Sequence, residues 1–147
     1  MKYLLDTNAV AGIINSDQPE YLSVFNKFVD LGAESIFISS LVQTELEAGL
    51  LNLSRSKIAR ERKKYIRERT EFFLSCFPSL PYDKKAAHEA AKLMVFCRQN
   101  GRPLSDIDAC IAGHAISLGY TLVSNDLKAF EGLNYPDLKW EDWRKTN

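Results

Sequence analysis

The first apolar segment of the chain ends abruptly in polar residues, and this pattern constrains the fold most strongly. Residues 3–5 are all apolar, and Asp6, Thr7 and Asn8 follow them directly. An apolar run without polar alternation is typical of a strand that is buried on both faces of a parallel sheet. Parallel sheets bind their ligands beyond the carboxyl ends of the strands. The sequence therefore predicts that Asp6 lies in a ligand-binding crevice.

The same change from apolar to polar residues recurs at two later strands. Residues 36–38 lead into a pair of serines, and residues 121–124 form a strand that ends shortly before Asp126. Two weaker segments are also strand candidates. Residues 77–82, which contain two prolines, form at most a short edge strand, and residues 138–140 alternate like a final strand that is antiparallel or at an edge.

Apolar residues at helical spacing separate these strands. The predicted helices cover residues 9–14, 19–31, 42–53, 55–74, 84–99, 105–118 and 127–130. Strands that alternate with helices indicate an α/β fold. The sequence therefore predicts one α/β domain over residues 1–147, with a mainly parallel central sheet of four or five strands flanked by helices.

The composition favours a single domain and gives little sign of other classes of protein. The chain has 147 residues, of which 46% are hydrophobic, which is enough for a buried core. Lys and Arg number 19 and Asp and Glu number 19, so the global charge gives no signal for nucleic acid. Three cysteines without a Cys-x-x-Cys pair are typical of reduced thiols in a cytoplasmic protein. No apolar run approaches the roughly 20 residues of a membrane span, and no signal peptide is expected.

Four acidic residues are candidates for chemistry, namely Asp6, Glu45, Asp108 and Asp126. Glu45 shares a predicted helix face with Val42 and Leu46, where a buried carboxylate is costly unless it is paired or binds a metal. Carboxylates that converge on one crevice repel one another, which raises their pKa values unless a cation lies between them. A set of oxygen ligands suits Mg²⁺ or Mn²⁺, and such ions assist the hydrolysis of phosphodiesters.

Each of the strand-end and helix-start acids also has a purely structural interpretation. Asp6 and Asp126 follow strands, where an acid often caps the next helix. Ser105 and Asp108 form a capping-box pattern. Asp106 lies about 200° around the same helix from Asp108, where it complements the helix dipole or binds metal through a water. We therefore expect Asp108, rather than Asp106, to be the primary ligand.

Together these residues resemble the PIN-domain ribonucleases, and among them the VapC-type toxins of VapBC toxin–antitoxin pairs. The resemblance covers nearly the whole chain. It depends on an ordered set of short motifs: Leu5-Asp6-Thr7-Asn8, Ser39 with Glu45-Leu46 and Gly49, Asp108 with Ile111-Ala112, Ala115 and Gly119, Thr121-Leu122-Val123-Ser124-Asn125-Asp126 with Phe130, and Leu138 with Trp143. Ser124 stands where the family more often has Thr, and it keeps the hydroxyl.

The resemblance implies a site of four catalytic acids that bind Mg²⁺ or Mn²⁺, namely Asp6, Glu45, Asp108 and Asp126. It also implies that the hydroxyl groups of Thr7 and Ser124 help to position the metal ion or its water. The implied activity is that of a divalent-metal-dependent endoribonuclease, with RNAs such as transfer RNA as substrates. The implied partners are a small VapB-like antitoxin that holds the enzyme inactive and a second copy of the chain in a homodimer.

The predicted helix at residues 55–74 is strongly basic. Apolar residues spaced by seven, with two apolar neighbours, predict one packed stripe, formed by Leu51, Ile58, Tyr65 and Phe72 with Ile66 and Phe73 beside them. Basic residues three or four positions apart share a different face, which comprises Arg60, Lys63, Lys64 and Arg67. These four residues are candidates for contacts with RNA phosphates, and a solvated charged face is the alternative interpretation.

Two other classes of function remain open from the residues alone. A phosphoacceptor receiver module also arranges acids around Mg²⁺ in an α/β fold, but receivers carry paired acids after the first strand, where this chain has Thr7 after Asp6. A catalytically inactive PIN-like RNA-binding protein is the second alternative. His88 and His114 have no readable nucleophile partner and are interpreted as structural. Dinucleotide-binding, Walker and zinc-protease motifs do not occur in the sequence.

Overall fold

The computed structural model describes residues 1–145, and a parallel β-sheet lies at its centre. The strands are β1 (Tyr3–Leu5), β2 (Ile36–Ser39), β3 (Ser79–Leu80), β4 (Thr121–Val123) and β5 (Trp140–Glu141). Their order across the sheet is β3-β2-β1-β4-β5, and each neighbouring pair is parallel. The predicted α/β fold with a mainly parallel sheet is therefore confirmed.

Helices follow the strands and cover the sheet. They are α1 (Thr7–Ile14), α2 (Tyr21–Leu31), α3 (Ser40–Leu53), α4 (Arg60–Cys76), α5 (Lys84–Gln99), α6 (Asp106–Leu118) and α7 (Leu127–Phe130), with a 3-10 turn at Ala33–Ser35. Leu4 and Leu5 are both fully buried, and successive side chains of a strand point to opposite faces, so the sheet is covered on both faces. Within residues 1–145, no helix is long and apolar enough to span a membrane.

The register of the three central strands aligns their carboxyl ends. Leu5 of β1 pairs with Ile38 of β2 on one side and with Val123 of β4 on the other. The residue that follows each of these three is polar. Three polar side chains therefore leave the sheet together at one edge, as the sequence predicts for a ligand-binding crevice.

The last strand differs from its prediction. The sequence predicts it at residues 138–140, whereas the structure forms it at Trp140–Glu141, parallel to β4 and at the edge of the sheet. A tight hairpin would force the antiparallel direction, but parallel neighbours need a long connection. Residues 124–139, which contain α7, supply a connection of that length.

The predicted basic helix at residues 55–74 begins later than expected, and its predicted apolar stripe is right in part: Phe73 is buried and Tyr65 and Ile66 are half-buried, whereas the other three residues are exposed. The helix starts at Arg60, because a turn separates α3 from α4. Leu51 belongs to α3 and is 78% exposed, and Phe72 is 68% exposed. A spacing of seven has no meaning across a break between helices. The buried face of α4 includes Thr70, which was not predicted, and Phe73, whose ring lies 4.4 Å from that of Phe77.

Helices α5 and α6 pack closely because Gly113 has no side chain. A Cβ atom at Gly113 would lie 2.6 Å from Cβ of Ala90 and would also overlap the backbone of Ala90. Gly49 lies in α3, and a Cβ atom added there would have no heavy atom within 4 Å. The two glycines can therefore be compared directly, because an added side chain would meet a neighbouring helix at Gly113 and no other atom at Gly49.

We predict that Gly113→Ala lowers the free energy of unfolding by about 1–3 kcal/mol, because α5 must move away from α6. Gly49→Ala should raise it by up to about 1 kcal/mol, because alanine favours the helix without meeting a neighbour. Urea denaturation of both variants and the wild type measures these changes. Equal stability of Gly113→Ala and the wild type would contradict the close contact.

Candidate functional site

Asp6 occupies the centre of the polar edge of the sheet. Its side chain is 5% exposed. Its backbone N–H donates to the carbonyl of Val123 at 3.0 Å, and its carboxylate caps α1 by accepting from the N–H of Ala9 at 2.8 Å. The structural prediction that Asp6 is an N-cap is thus confirmed, and the carboxylate that forms this cap is buried.

The charge of Asp6 is unfavourable in this position. The pKa of Asp6 is raised from its ordinary value of 3.8 to about 6, chiefly by burial and to a smaller extent by the negative charges of Asp108 and Asp126. Hydrogen bonds from Ser124 and from the backbone of Ala9 oppose this rise only in part. Three acids predicted from separate parts of the sequence therefore lie close enough to repel one another. A cation among them would remove that repulsion.

Asp126 and Ser124 form the loop that follows β4. Ser124 is 1% exposed, and its hydroxyl accepts from the backbone N–H of Asp126 at 3.1 Å. The Asp126 carboxylate caps α7 through the N–H of Ala129 at 3.0 Å. The hydroxyl of Ser124 thus helps to hold both Asp6 and the backbone of Asp126, and its expected role in positioning metal or water stays a prediction.

Asp108 lies in the first turn of α6, where Ser105 is the N-cap. The backbone N–H of Asp108 donates to the Ser105 hydroxyl at 3.2 Å. Asp108 and Asp126 line one open cleft of about 390 Å³. Asp106 is exposed and is absent from the lining of that cleft. The helix start that separates Asp108 from Asp106 is as predicted, and Asp108 is the one of the pair that faces another acid.

Glu45 is exposed, and the prediction that it lies buried on an apolar helix face is wrong. Val42 and Leu46 of α3 are buried, but Glu45 lies about 100° around the helix from Leu46 and reaches the surface. Its carboxylate instead accepts a hydrogen bond of 2.6 Å from the hydroxyl of Thr7. Because Thr7 follows Asp6 directly, this bond brings Glu45 to the crevice.

The donor atoms of the crevice suit a hard divalent cation that keeps part of its water. They are carboxylate and hydroxyl oxygens, which Mg²⁺ and Mn²⁺ prefer. Within residues 1–145, no three His, Cys, Asp or Glu side chains lie close enough together to hold a metal ion by themselves. Mg²⁺ commonly binds through one or two carboxylates and several waters, so the crowded charge around Asp6 fits such an ion.

His114 is buried in the fold, as its structural interpretation requires. It is 1% exposed, and its Nδ1 lies 2.9 Å from the hydroxyl of Ser39, the N-cap of α3. Burial lowers the pKa of His114, which favours the neutral ring. This contact ties α6, which carries Asp108, to the start of α3, which carries Glu45. His88 is exposed.

The basic residues of α4 divide into two groups. Arg62 pairs with Asp17 at 2.8 Å, and Arg69 donates to the carbonyl of Ile13 at 3.0 Å, so both hold α4 against its neighbours. The four candidate RNA contacts are more accessible. Arg60, Lys64 and Arg67 are exposed and Lys63 is half-buried. The shared outer face predicted for these four residues is therefore present.

The sequence did not predict that two basic residues lie near the acids. Arg102 and Lys128 line the same cleft as Asp108 and Asp126. They lie in different parts of the chain, outside the basic run and outside the motifs of the family. Their proximity depends on how the loop after α5 packs against α7, and no local sequence signal carries that information.

The chain is similar to known proteins over almost its whole length. Residues 3–133 match the family model of the PIN domain. The tRNA(fMet)-specific endonuclease VapC from Salmonella typhimurium is 32% identical over 143 residues, which cover 97% of this chain and 98% of that protein. Ribonuclease VapC2 from Rickettsia felis is 32% identical over 146 residues, which cover 99% of this chain and 100% of that protein.

Solved structures of related complexes share the fold. The crystal structure of VapBC2 from Rickettsia felis bound to a DNA fragment from their promoter has a TM-score of 0.75 and 31% identity, and the match covers 97% of this chain and 99% of that chain. DNA-bound VapBC from Salmonella typhimurium has a TM-score of 0.74 and 29% identity, with 97% and 98% covered. The similarity therefore extends from sequence to architecture.

We predict that Asp6→Asn stabilises the metal-free protein at neutral pH. A carboxyl whose folded pKa is about 6 against an ordinary 3.8 destabilises the fold progressively as pH rises from about 4 to about 6, and the penalty is complete above about 6. The gain should reach up to about 3 kcal/mol at pH 7 and should disappear below about pH 4, where both states are protonated. Thermal unfolding at several pH values in EDTA measures it.

Asp106→Asn is the matched control, because Asp106 is an exposed acid near the same site. Its effect on stability should stay within about 0.5 kcal/mol at every pH. A loss of stability in Asp6→Asn at pH 7 would show that the carboxylate charge is not crowded.

Proposed function

Because the chain belongs to the PIN-domain family and, within it, to the VapC ribonucleases, we propose that it cuts RNA internally by divalent-metal-dependent hydrolysis. The observation that supports the metal requirement is the pKa of Asp6, raised to about 6 by burial and by two neighbouring acids. Membership in this family removes the receiver-module alternative. The inactive RNA-binding alternative is decided by the cleavage experiment below.

One or two of the carboxylates of Asp6, Asp108 and Asp126 would hold the metal ion, which would keep several waters, with Glu45 at the side of the crevice. When bound, the ion neutralises charge on the phosphate and makes water a better nucleophile. The protein itself holds the acidic side chains in position. Ser124 supports Asp6 and the backbone of Asp126, so these carboxylates have little freedom to move.

Glu45 has a different role in this proposal because it is accessible to solvent. The Thr7 hydroxyl donates to its Oε1 at 2.6 Å and leaves Oε2 available. An oriented carboxylate beside the crevice can accept a proton from the attacking water as a general base. Thr7 therefore acts as a positioning residue for Glu45.

We expect Asp6→Asn and Asp126→Asn to abolish metal-dependent cleavage, because each removes charge from the crevice while keeping the shape of the side chain. Asp108→Asn should lose at least about tenfold more activity than Asp106→Asn, because Asp108 lines the cleft and Asp106 does not. Cleavage of labelled RNA with Mg²⁺ or Mn²⁺, with EDTA as a control, measures all four variants.

Undiminished cleavage by either Asp6→Asn or Asp126→Asn would remove the proposed site. A more severe loss in Asp106→Asn than in Asp108→Asn would place Asp106 in the group of four acids instead. If the wild type binds RNA but never cleaves it, the inactive alternative is correct.

For the substrate, we propose a class of RNA and not an individual RNA. The Salmonella typhimurium relative is named as specific for tRNA(fMet), which makes transfer RNA the first class to test. The outer face of α4, with Arg60, Lys63, Lys64 and Arg67, would contact phosphates away from the acids.

Cys76, Cys97 and Cys110 are unpaired, which agrees with action in the reducing cytoplasm.

We propose a VapB-like antitoxin as the protein partner. The related solved complexes are VapBC pairs. A groove of about 310 Å³ runs beside Glu45 and Thr7, and Leu46, Leu50 and Ile66 contribute its apolar lining. An apolar segment can pack in such a groove while an arginine pairs bidentately with a carboxylate of the site. The homodimer that the family resemblance implies remains a prediction.

A toxin of this kind should slow growth when no antitoxin is present. We expect expression of the wild-type chain alone to arrest a bacterial host, and expression of Asp126→Asn at the same level to leave growth normal. Growth curves together with immunoblots measure this difference. Normal growth with the wild type, in several hosts, would contradict the toxin role and leave the nuclease proposal standing.

A further inference from the structure

The cleft beside Asp108 and Asp126 contains positive as well as negative charge. Arg102, in the loop after α5, and Lys128, in α7, line it together with the two acids. Neither basic residue forms an ion pair within residues 1–145. The positive charges therefore do not neutralise the two carboxylates by direct contact, and the cleft keeps a basic part beside its acidic part.

Arg102 is held in one position by several contacts. Its Nη2 donates to the carbonyls of Lys128 at 3.2 Å and Ala129 at 3.3 Å, and its backbone N–H donates to the carbonyl of Cys97 at 2.8 Å. In the part of the chain that the structure describes, Nε and Nη1 of Arg102 donate no hydrogen bond. The guanidinium thus has one edge fixed to α7 and further N–H donors available to a ligand.

Gly132 provides the space beside this guanidinium. Its backbone φ is 74°, and a Cβ atom there would lie 3.5 Å from Nη1 of Arg102. A side chain at this position would be strained by the backbone, and its Cβ would make an ordinary van der Waals contact with that nitrogen. The turn after α7 therefore lies directly beside the free donors of Arg102.

Lys128 supplies the second positive charge and is free to move. It is exposed, and its side chain has no hydrogen bond or ion pair within residues 1–145. A fixed guanidinium and a mobile ammonium within one cleft suit a phosphate group, since Arg offers a planar fork and Lys a point charge.

We propose that Arg102 and Lys128 form a phosphate-binding subsite that holds the RNA backbone on the Asp108 and Asp126 side of the crevice. The subsite rests on the proposed nuclease function, because RNA is then the phosphate-bearing substrate. It reads phosphate and not bases, so it adds affinity without sequence preference. It also compensates the negative charge of the acids, which would otherwise repel the substrate.

The test is RNA binding measured in EDTA at low ionic strength, where metal-dependent cleavage does not occur. The probe is a short fluorescent single-stranded RNA, and the readout is anisotropy as a function of salt. Lys128→Gln should weaken binding about three- to tenfold and lower the logarithmic salt slope by about 0.7, as expected for one lost phosphate contact. The loss should be similar for RNAs of different sequence, and Lys128→Arg should restore affinity.

Arg98→Gln is the matched control. Arg98 is an exposed base near the end of α5, and it does not line the cleft. Its replacement removes the same charge and should leave both affinity and salt slope near those of the wild type. Equal effects of Lys128→Gln and Arg98→Gln would show general charge attraction and would overturn the subsite.

Steady-state cleavage separates contact from positioning. Lys128→Gln should raise KM for RNA more than it lowers kcat, because Lys128 does not hold an acid in place. Arg102→Gln should raise KM and lower kcat as well, since it also loses the bonds that anchor α7 behind Asp126. A thermal melt checks that the Arg102→Gln variant folds. If that variant does not fold, the Lys128→Gln variant alone tests the subsite.

The two proposals fail in different ways. Wild-type binding by Lys128→Gln, with an unchanged salt slope, would overturn the subsite even if the enzyme cleaves RNA. A wild-type protein that never cleaves RNA, but whose binding depends on Lys128 and not on Arg98, would overturn the nuclease function and support the subsite.

Discussion

The parallel register of β1 between β2 and β4 is the constraint on which the site depends. It places the polar residues after the three strands at one edge, with Asp6 in the middle. Burial there raises the pKa of Asp6, and the charges of Asp108 and Asp126 raise it further. A fold that buries like charges together stores an unfavourable energy, and a bound cation relieves it. The site is thus prepared for a metal ion by the same strands that form the core.

Buried and half-buried hydroxyl groups connect the elements that carry the acids. Thr7 bonds Glu45 on α3, and Ser124 supports both Asp6 and the loop of Asp126. Ser39 caps α3 and contacts His114 of α6. None of these hydroxyls adds charge to the crevice. They fix the relative positions of helices and loops whose packing alone would allow small shifts, and shifts of that size matter to catalytic geometry.

The sequence predicted what local pattern controls. Asp6 and Asp126 follow apolar strands, so their place at the edge of the sheet could be inferred, and Asp108 could be separated from Asp106 once Ser105 was assigned as a cap. The prediction that Glu45 is buried was wrong. The spacing of apolar residues locates the buried face of a helix only approximately, so it cannot show whether the residue next to a buried one is itself buried. The position of Arg102 beside the acids could not be inferred, since it depends on a loop that packs against a distant helix.

The pKa of Asp6, measured by NMR titration of its carboxyl carbon with and without Mg²⁺, tests the metal-site account most directly. The spectrum of Asp6→Asn assigns the signal. We predict a midpoint of about 6 without metal, and a midpoint below the ordinary 3.8 when Mg²⁺ saturates the site, because the cation then favours the charged form. A midpoint near 3.8 that does not respond to Mg²⁺ would contradict both the crowding of the acids and the metal site.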